Sequence, residues 1–399
     1  MNLQNPQDVA AQAYRIEAAP LPERYARGWH VLGPAEMFLD GKPHDIDIFG
    51  TKLVAFKGKS GQVSILDGWC PHMGAALGTG TVIGDNVSCP FHGWQWGPDG
   101  RCAKIPFSSR IPPRARVKSW PTAVVSGQLF VYNDPEGNAP PPEVSIPAID
   151  AYDRGECTPW NWVQEVIPTN CRELIDNVSD NTHFYYVHGW LPRRFKNIFH
   201  NHMATQSAVY QTRQDRSLGQ EGASSNADSF EMQSEATYYG PAYMINSQIA
   251  QYKGQEIECW LINSHYPITP NSFMLNCGVT ARKLPGLPDE VATAIANEYA
   301  DAFRDSFFQD VQIWRNKTRV DNPVLSQHDG PIYQLRRWYE QFYVDVADVQ
   351  PDMVALQEID VDMTKPIAAW EAEQAAVSKA SQRHARDVLP ESKTTIAGT

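Results

Sequence analysis

The chain has 399 residues, 42% apolar and 20% charged, the make-up of an ordinary globular protein with room for two or three domains. Lysine and arginine number 34 against 46 aspartates and glutamates, and the net charge of -12 argues against nucleic acid as a partner. No apolar run approaches a membrane span and no basic start with an apolar stretch marks a signal peptide, so the expected location is cytoplasmic.

Residues 1–23 read as a lead-in ending at Pro20 and Pro22. Short β runs follow: Trp29–Leu32, Thr51–Phe56, and Gln62–Leu66, which returns after the turn Lys57–Gly61. Then come Cys70-Pro71-His72, sixteen residues, and Cys89-Pro90-Phe91-His92. Two thiolates and two imidazoles in this order suit a Rieske [2Fe–2S] centre, the cysteines on one iron and the histidines on the other. A structural zinc site is the alternative, but zinc pairs are drawn from one ligand type each, whereas each loop here mixes both. Gly74, Gly78, Gly80, Gly84 and Gly93 fit a segment that wraps a cluster closely. Trp69 and Trp94 flank the ligands and are placed to keep water out, while His30 and His44 read as structural or surface residues. Gly97–Gly100 predicts a turn between Trp94–Trp96 and Arg101–Ala103, and Leu129–Tyr132 predicts another strand. Residues 24–135 are thus expected to form a small antiparallel β domain, followed by a proline-rich linker over 136–150.

A second domain is expected over 151–385, with a tail over 386–399. Trp160–Val166 alternates as a strand. Asn170–His188 reads as a helix, with Leu174, Ile175 and Val178 on one face. Asp180 and His183 are three apart and meet on one side. His188 follows His183 by five, which on an ideal helix leaves the rings about 140° apart. Both can reach one metal only if the helix breaks, so an irregularity is predicted at Phe184–Val187. Two histidines and a carboxylate make the facial triad of non-haem Fe(II) oxygenases. The leading carboxylate is Asp310, on a helical run from Asp289 to Arg315, with Asp305 and Asp301 as alternatives. Ser234–Asn246, Glu256–Tyr266 and Phe273–Thr280 read as strands able to wall an apolar pocket, and Lys365–Arg386 as a helix. The five cysteines outside the motif have no paired spacing and are expected to be reduced thiols.

C-x-H and C-x-x-H, followed about ninety residues later by D-x-x-H-x4-H, resemble the Rieske non-haem iron oxygenases. Over roughly residues 20–350 the chain is similar to the oxygenase components of the 3-ketosteroid 9α-hydroxylase family. The likeness includes Tyr25–His30, Glu235–Asn246, Leu261–Pro267 and the unusual run Tyr333–Ala347. The resemblance implies an α+β chain, with an N-terminal antiparallel β Rieske domain and a C-terminal helix-grip-like catalytic domain. It implies one [2Fe–2S] cluster on Cys70, His72, Cys89 and His92, and one mononuclear Fe(II) on His183, His188 and Asp310. It makes Asp180 the bridge between ligand His183 and cluster ligand His92 of a neighbour in a homotrimer. Pocket residues carry over to Val178, Gln206, Tyr238, Met244, Asn246, Asn263, Phe307 and Trp314.

The implied activity is hydroxylation of a 3-ketosteroid at C9, on the α face, in steroid degradation. It uses O2 and electrons from an NADH-dependent reductase carrying FAD and [2Fe–2S]. Two stretches depart from the family pattern: Gly189–Arg194 is bulkier and more basic, and the 207–229 loop diverges. Other readings are a Rieske oxygenase for another hydrophobic substrate (a side-chain-bearing or bile-acid steroid, a terpenoid or an aromatic), a Rieske electron carrier, and a zinc-binding interaction protein.

Overall fold

The computed structural model describes residues 24–212, 231–252 and 255–388. The expected lead-in, most of the divergent loop and the end of the tail lie outside the described residues. Eleven short strands come first: β1 (Gly28–Pro34), β2 (His44–Ile48), β3 (Thr51–Lys57), β4 (Val63–Asp67), β5 (Thr81–Ile83), β6 (Asn86–Ser88), β7 (Gln95–Trp96), β8 (Cys102–Lys104), β9 (Ser119–Trp120), β10 (Thr122–Val125) and β11 (Gln128–Asn133). They pair antiparallel in the orders β1-β11-β10, β2-β3-β4-β9 and β5-β6-β7-β8. The turn at Gly97–Gly100 closes β7 onto β8 because Gly100 takes φ 75°, a left-handed conformation that favours glycine.

The second half is built on one antiparallel sheet. Its strands are β12 (Asn161–Ile167), β13 (Trp190–His200), β14 (Met203–Thr212), β15 (Glu231–Tyr239), β16 (Met244–Tyr252), β17 (Gln255–Thr269), β18 (Ser272–Ala281) and β19 (Gln357–Asp360). Among the described residues the order is β12-β18-β17-β16-β15-β14-β13-β19. The run Ser234–Asn246, expected as one strand, is the end of β15 and the start of β16. Gly240-Pro241 turns the chain between them, since proline has no N–H to give a ladder.

Six helices matter to the site: α1 (Arg172–Ile175), α2 (His183–Tyr186), α3 (Asp289–Phe307), α4 (Gln309–Arg315), α5 (Ile332–Glu340) and α6 (Thr364–Val388). The helix expected over 170–188 is instead α1, a 3-10 turn at Asp176–Val178, and α2. The run expected over 289–315 breaks at Phe308. α3 lies across the sheet, with Ala300 and Phe307 packed among Leu275, Cys277 and Val279. No helix among the described residues is long and apolar enough to cross a membrane.

The two halves share a core. Trp29, Val31, Phe130 and Tyr132 pack with Trp160, Tyr243, Ile245 and Ile262. Each such fully buried side chain contributes about 1.5–3 kcal/mol, so the join is a packed interface and not a tether. Asn276 donates to the Val31 carbonyl at 2.9 Å and Gln164 to that of Leu32 at 2.8 Å. Two of the runs that carry the family resemblance also meet here. Arg27 donates to the carbonyls of Val344 (2.8 Å) and Gln341 (2.9 Å), and its own N–H reaches Phe342 O at 2.8 Å.

Candidate cluster and metal sites

The Cys70–Ala75 and Cys89–Trp94 segments are two copies of one turn. Gly74 N–H donates to Cys70 O at 2.8 Å, and Gly93 N–H to Cys89 O at 3.0 Å. Cys70 N–H donates to Ala75 O at 2.9 Å, and Cys89 N–H to Trp94 O at 2.8 Å. Gly74 (φ 78°) and Gly93 (φ 69°) allow these closures, whereas Gly78 and Gly80 sit against Asp45 and the Ser88 carbonyl, away from the turns. The turns put both thiols inward, Cys70 and Cys89 being 1% and 3% exposed. They set the imidazoles of His72 and His92 outward, ring centres 4.7 Å apart. Trp94 stacks on His72 at 4.4 Å, so this tryptophan shields one imidazole, while Trp69 stays 47% exposed. Burial pushes the Cys70 thiol up to about 11, so a free thiol here is protonated and a metal must displace the proton. The Nδ1 of His92 is buried with no hydrogen-bond partner, an orphan that an iron bond satisfies. The donor set therefore fits a [2Fe–2S] cluster.

The second site forms where α2 ends. Val187 N–H closes the last turn on His183 O at 2.7 Å, and Gly189 at φ 68° reverses the chain, which swings His188 back beside His183. The ring centres are 5.3 Å apart. Asp310, on the first turn of α4, brings Oδ2 to 3.2 Å from His188 Nε2. The ligating atoms of His183, His188 and Asp310 all lie within 4.8 Å of one another, a donor set that fits a mononuclear Fe(II). Asp301 and Asp305 point elsewhere, pairing with Arg304 at 3.0 and 3.2 Å on the outer face of α3. Gln309, not singled out in the sequence, lies 3.2 Å from His188 Nδ1 through its Oε1 and sets that ring's orientation.

Asp180 accepts backbone N–H bonds from Thr182 (3.0 Å) and His183 (3.2 Å), and its Oδ2 is 3.7 Å from His183 Nδ1. Burial raises its pKa, but His183 and the two N–H groups outweigh this and hold it at about 2. The side chain still keeps 42% of its surface open, so one face of the carboxylate is free to meet something outside this chain.

A cavity of about 700 Å³, mouth included, opens beside the two histidines. Val178, Gln206, Tyr238, Met244, Asn246, Asn263 and Phe307 line it. Trp314 does not. It is buried behind Phe307, ring centres 5.8 Å apart. Further lining residues went unnamed in the sequence: Met232, Ser234 and Ala236 on β15, Gln248 on β16, and Tyr210. The period-two alternation Met232-Ser234-Ala236-Tyr238 and Met244-Asn246-Gln248 is the signal that finds them, once one member of each row is placed. Trp190, from the stretch that departs from the family pattern, reaches the cavity, while Arg193 turns out to Glu371 at 2.6 Å.

Residues 28–121 match the Rieske [2Fe-2S] domain, and residues 131–343 match the 3-Ketosteroid 9alpha-hydroxylase C-terminal domain. Apo dicamba monooxygenase superposes with a TM-score of 0.61 at 18% identity, covering 82% of this chain and 99% of that one. NdmA of Pseudomonas putida CBB5, in a QL mutant with theobromine, also gives 0.61 at 18%, covering 84% and 96%. The fold is thus shared with Rieske-type oxygenases. A 3-ketosteroid-9-alpha-monooxygenase oxygenase component of Rhodococcus rhodochrous is 48% identical over 92% of this chain and 93% of its own. The Mycobacterium tuberculosis (strain ATCC 25618 / H37Rv) protein of the same name is 49% identical over 90% and 92%. The chain belongs to this family of 3-ketosteroid 9α-monooxygenase oxygenase components.

Proposed function

We propose that this chain is the terminal oxygenase of a two-component monooxygenase that hydroxylates a 3-ketosteroid at C9, on the α face, in steroid degradation. The observation that carries the reading is the His183–His188–Asp310 donor set at the wall of a largely apolar cavity, in a chain alike over nine-tenths of its length to proteins of that name. Bound there, a cluster would supply single-electron relay and a mononuclear iron would supply O2 activation, for the overall change in which C–H, O2, two electrons and two protons give C–OH and one water. Cys70, Cys89, His72 and His92 hold the first group; His183, His188 and Asp310 hold the second.

The remaining residues position and exclude. Leu174, Val178, Met244, Leu261 and Phe307 present apolar wall to a ring system and keep water away. Tyr238 OH is buried without a partner and can donate to a ligand carbonyl, while the unpartnered side-chain oxygens of Asn263 and Gln248 are acceptors that suit a hydroxyl or water. Asp180 orients His183. Its open face suits His92 of the partner subunit, which makes a homotrimer with electron transfer between subunits the assembly we propose. An NADH-dependent reductase with FAD and [2Fe–2S] supplies the electrons. The five cysteines outside the cluster motif, free and buried, favour a reducing cytoplasm.

The test is turnover of 4-androstene-3,17-dione with such a reductase, NADH and O2, the product located by NMR. A 9α-hydroxyl product supports the reading. No product, from protein holding both iron centres, moves the reading to bulkier or side-chain-bearing substrates, for which Trp190 at the cavity is the residue to examine. Asp180→Asn is expected to retain both metals, counted per chain, and to lose turnover; near-normal turnover would remove the bridge.

A further inference from the structure

The protein is acidic as a whole, yet residues 101–133 contain no carboxylate and six cations: Arg101, Lys104, Arg110, Arg114, Arg116 and Lys118. All six are exposed. Among the described residues only Arg101 makes a direct ion pair, with Asp99 at 3.4 Å, and that pair is itself about two-thirds open to solvent; Asp67 and Asp134 act on Lys118 from further off. Lys118 lies over the Trp120 ring instead, 3.4 Å from its centre. Arg101 and Arg116 face each other across an antiparallel bridge, an arrangement in which like charges oppose folding. A protein that concentrates unpaired cations on one face while the rest of its surface is negative holds a local field that attracts an acidic partner.

That face adjoins the cluster turns. Cys102, Ile105 and Ala115 share a core with Cys70 and Cys89, and Pro106 rests against Gly93. In the same stretch Phe107 is 68% and Ile111 38% exposed, apolar side chains interleaved along the chain with the cations. We propose that this face is where the acidic surface of the reductase docks to reduce the cluster. The inference rests on the reading above that a separate reductase feeds this chain. Each docking moves one electron: the reductase's [2Fe–2S] centre is oxidised by one electron and the cluster on Cys70, His72, Cys89 and His92 is reduced by one. Two such transfers serve one hydroxylation. The occupant is a redox protein and not a nucleic acid because the surface outside this segment is strongly acidic and would repel a long polyanion.

The test uses the full, metal-loaded chain with an FAD/[2Fe–2S] NADH reductase that supports wild-type turnover. Wild-type turnover secures the underlying reading, so a negative result below falls on the docking face alone. The variant Arg110→Glu/Arg114→Glu is compared with Arg110→Lys/Arg114→Lys. For the glutamate variant we expect KM for the reductase to rise about ten-fold or more, with kcat extrapolated to saturating reductase nearly unchanged. Reductase binding to the immobilised protein should weaken in parallel and lose most of its salt dependence. Single-turnover product from chemically reduced enzyme should stay at the wild-type level, and the lysine variant should behave as wild type. Unchanged reductase KM and binding would overturn the proposal. So would a change in sedimentation of the glutamate variant, which would assign this face to a second copy of the chain.

Discussion

Arg336 grips both carboxylate oxygens of Asp176, through Nε at 3.0 Å and Nη2 at 2.7 Å. The pair ties α5 to the 3-10 turn that leads into Asp180, and the two side chains are only 12% and 7% exposed. Arg336→Ala strands a buried carboxylate, which typically costs about 3–5 kcal/mol. Chemical denaturation is expected to show a loss of that order, with Arg336→Lys intermediate because a lysine cannot make the fork. A loss near zero would mean that Lys317, 3.8 Å from Asp176, suffices alone.

Gln309 sets the tautomer of His188 by accepting from Nδ1–H at 3.2 Å, leaving Nε2 for the metal. Gln309→Leu removes the acceptor at nearly constant volume. Iron retained per chain against a chelator series is expected to fall, with the affinity down roughly 10–100-fold. Cluster absorbance should not change, because the Rieske turns do not touch Gln309.

Trp370 on α6 stacks on Tyr185 of α2, ring centres 4.8 Å apart, and Tyr185 OH donates to Trp370 O at 3.1 Å. Residues 364–388 lie beyond the span matched to the family's C-terminal domain, so this brace on the His183 helix is carried by a separate stretch. Trp370→Ala is expected to cost about 3–5 kcal/mol in stability. Thermal melting followed by tryptophan fluorescence checks it, and a midpoint within a degree of wild type would dismiss the brace.

His30 and His265 are both 1% exposed where β1 meets β17. Burial lowers the His30 pKa to about 4, against a smaller upward pull from hydrogen bonds with the Ala26 and His265 backbone. Burial, then the neighbouring His30, takes His265 to about 3. His44, Asp45, Asp47, Lys52 and Lys57 are the other titratable groups on the strand pair below, and Phe49 and Phe273 close over the two rings. Above pH 6.5 both rings are neutral in the folded and unfolded chain and contribute no slope. As pH falls below 6.5 the unfolded chain takes up protons that the folded one refuses, so stability is lost from about 6.5 down to about 4 for His30 and about 3 for His265. From His30 alone the loss is on the order of 3 kcal/mol by pH 4. Unfolding midpoints from pH 7.5 to 4.5 should fall, and His265→Gln should flatten the curve. A flat wild-type curve would contradict it.

Local chemistry was readable in the chain. The cluster turns depend on neighbours within six residues, so C-x-H and C-x-x-H showed them directly. The break between His183 and His188 followed from helix geometry alone, although the chain breaks a second time, at Ser179–Thr182, for which no periodicity argument spoke. Asp301, Asp305 and Asp310 were equal in type; what separates them is burial, 4% for Asp310, against Arg304 pairing for the others. That difference lies in tertiary packing. The Gly240-Pro241 turn was visible as residues and was overridden by the β-rich run around it. Trp314 sits on the same helix as Asp310 but faces the core, an orientation that a resemblance read by position does not carry.

The bonds from Arg27 to the stretch 341–344 span more than three hundred residues. During synthesis at roughly 5–20 residues per second, the N-terminal strands wait on the order of 15–60 s for their last partner to be made. For the earlier part of that interval, until the strands carrying Tyr243, Ile245 and Ile262 are made, the apolar side of β1 and β11, with Val31 and Phe130, stands without the sheet that covers it. Production of this protein is therefore expected to respond to slower, cooler growth and to chaperone supply, for reasons set by chain order and not by the strength of any one contact.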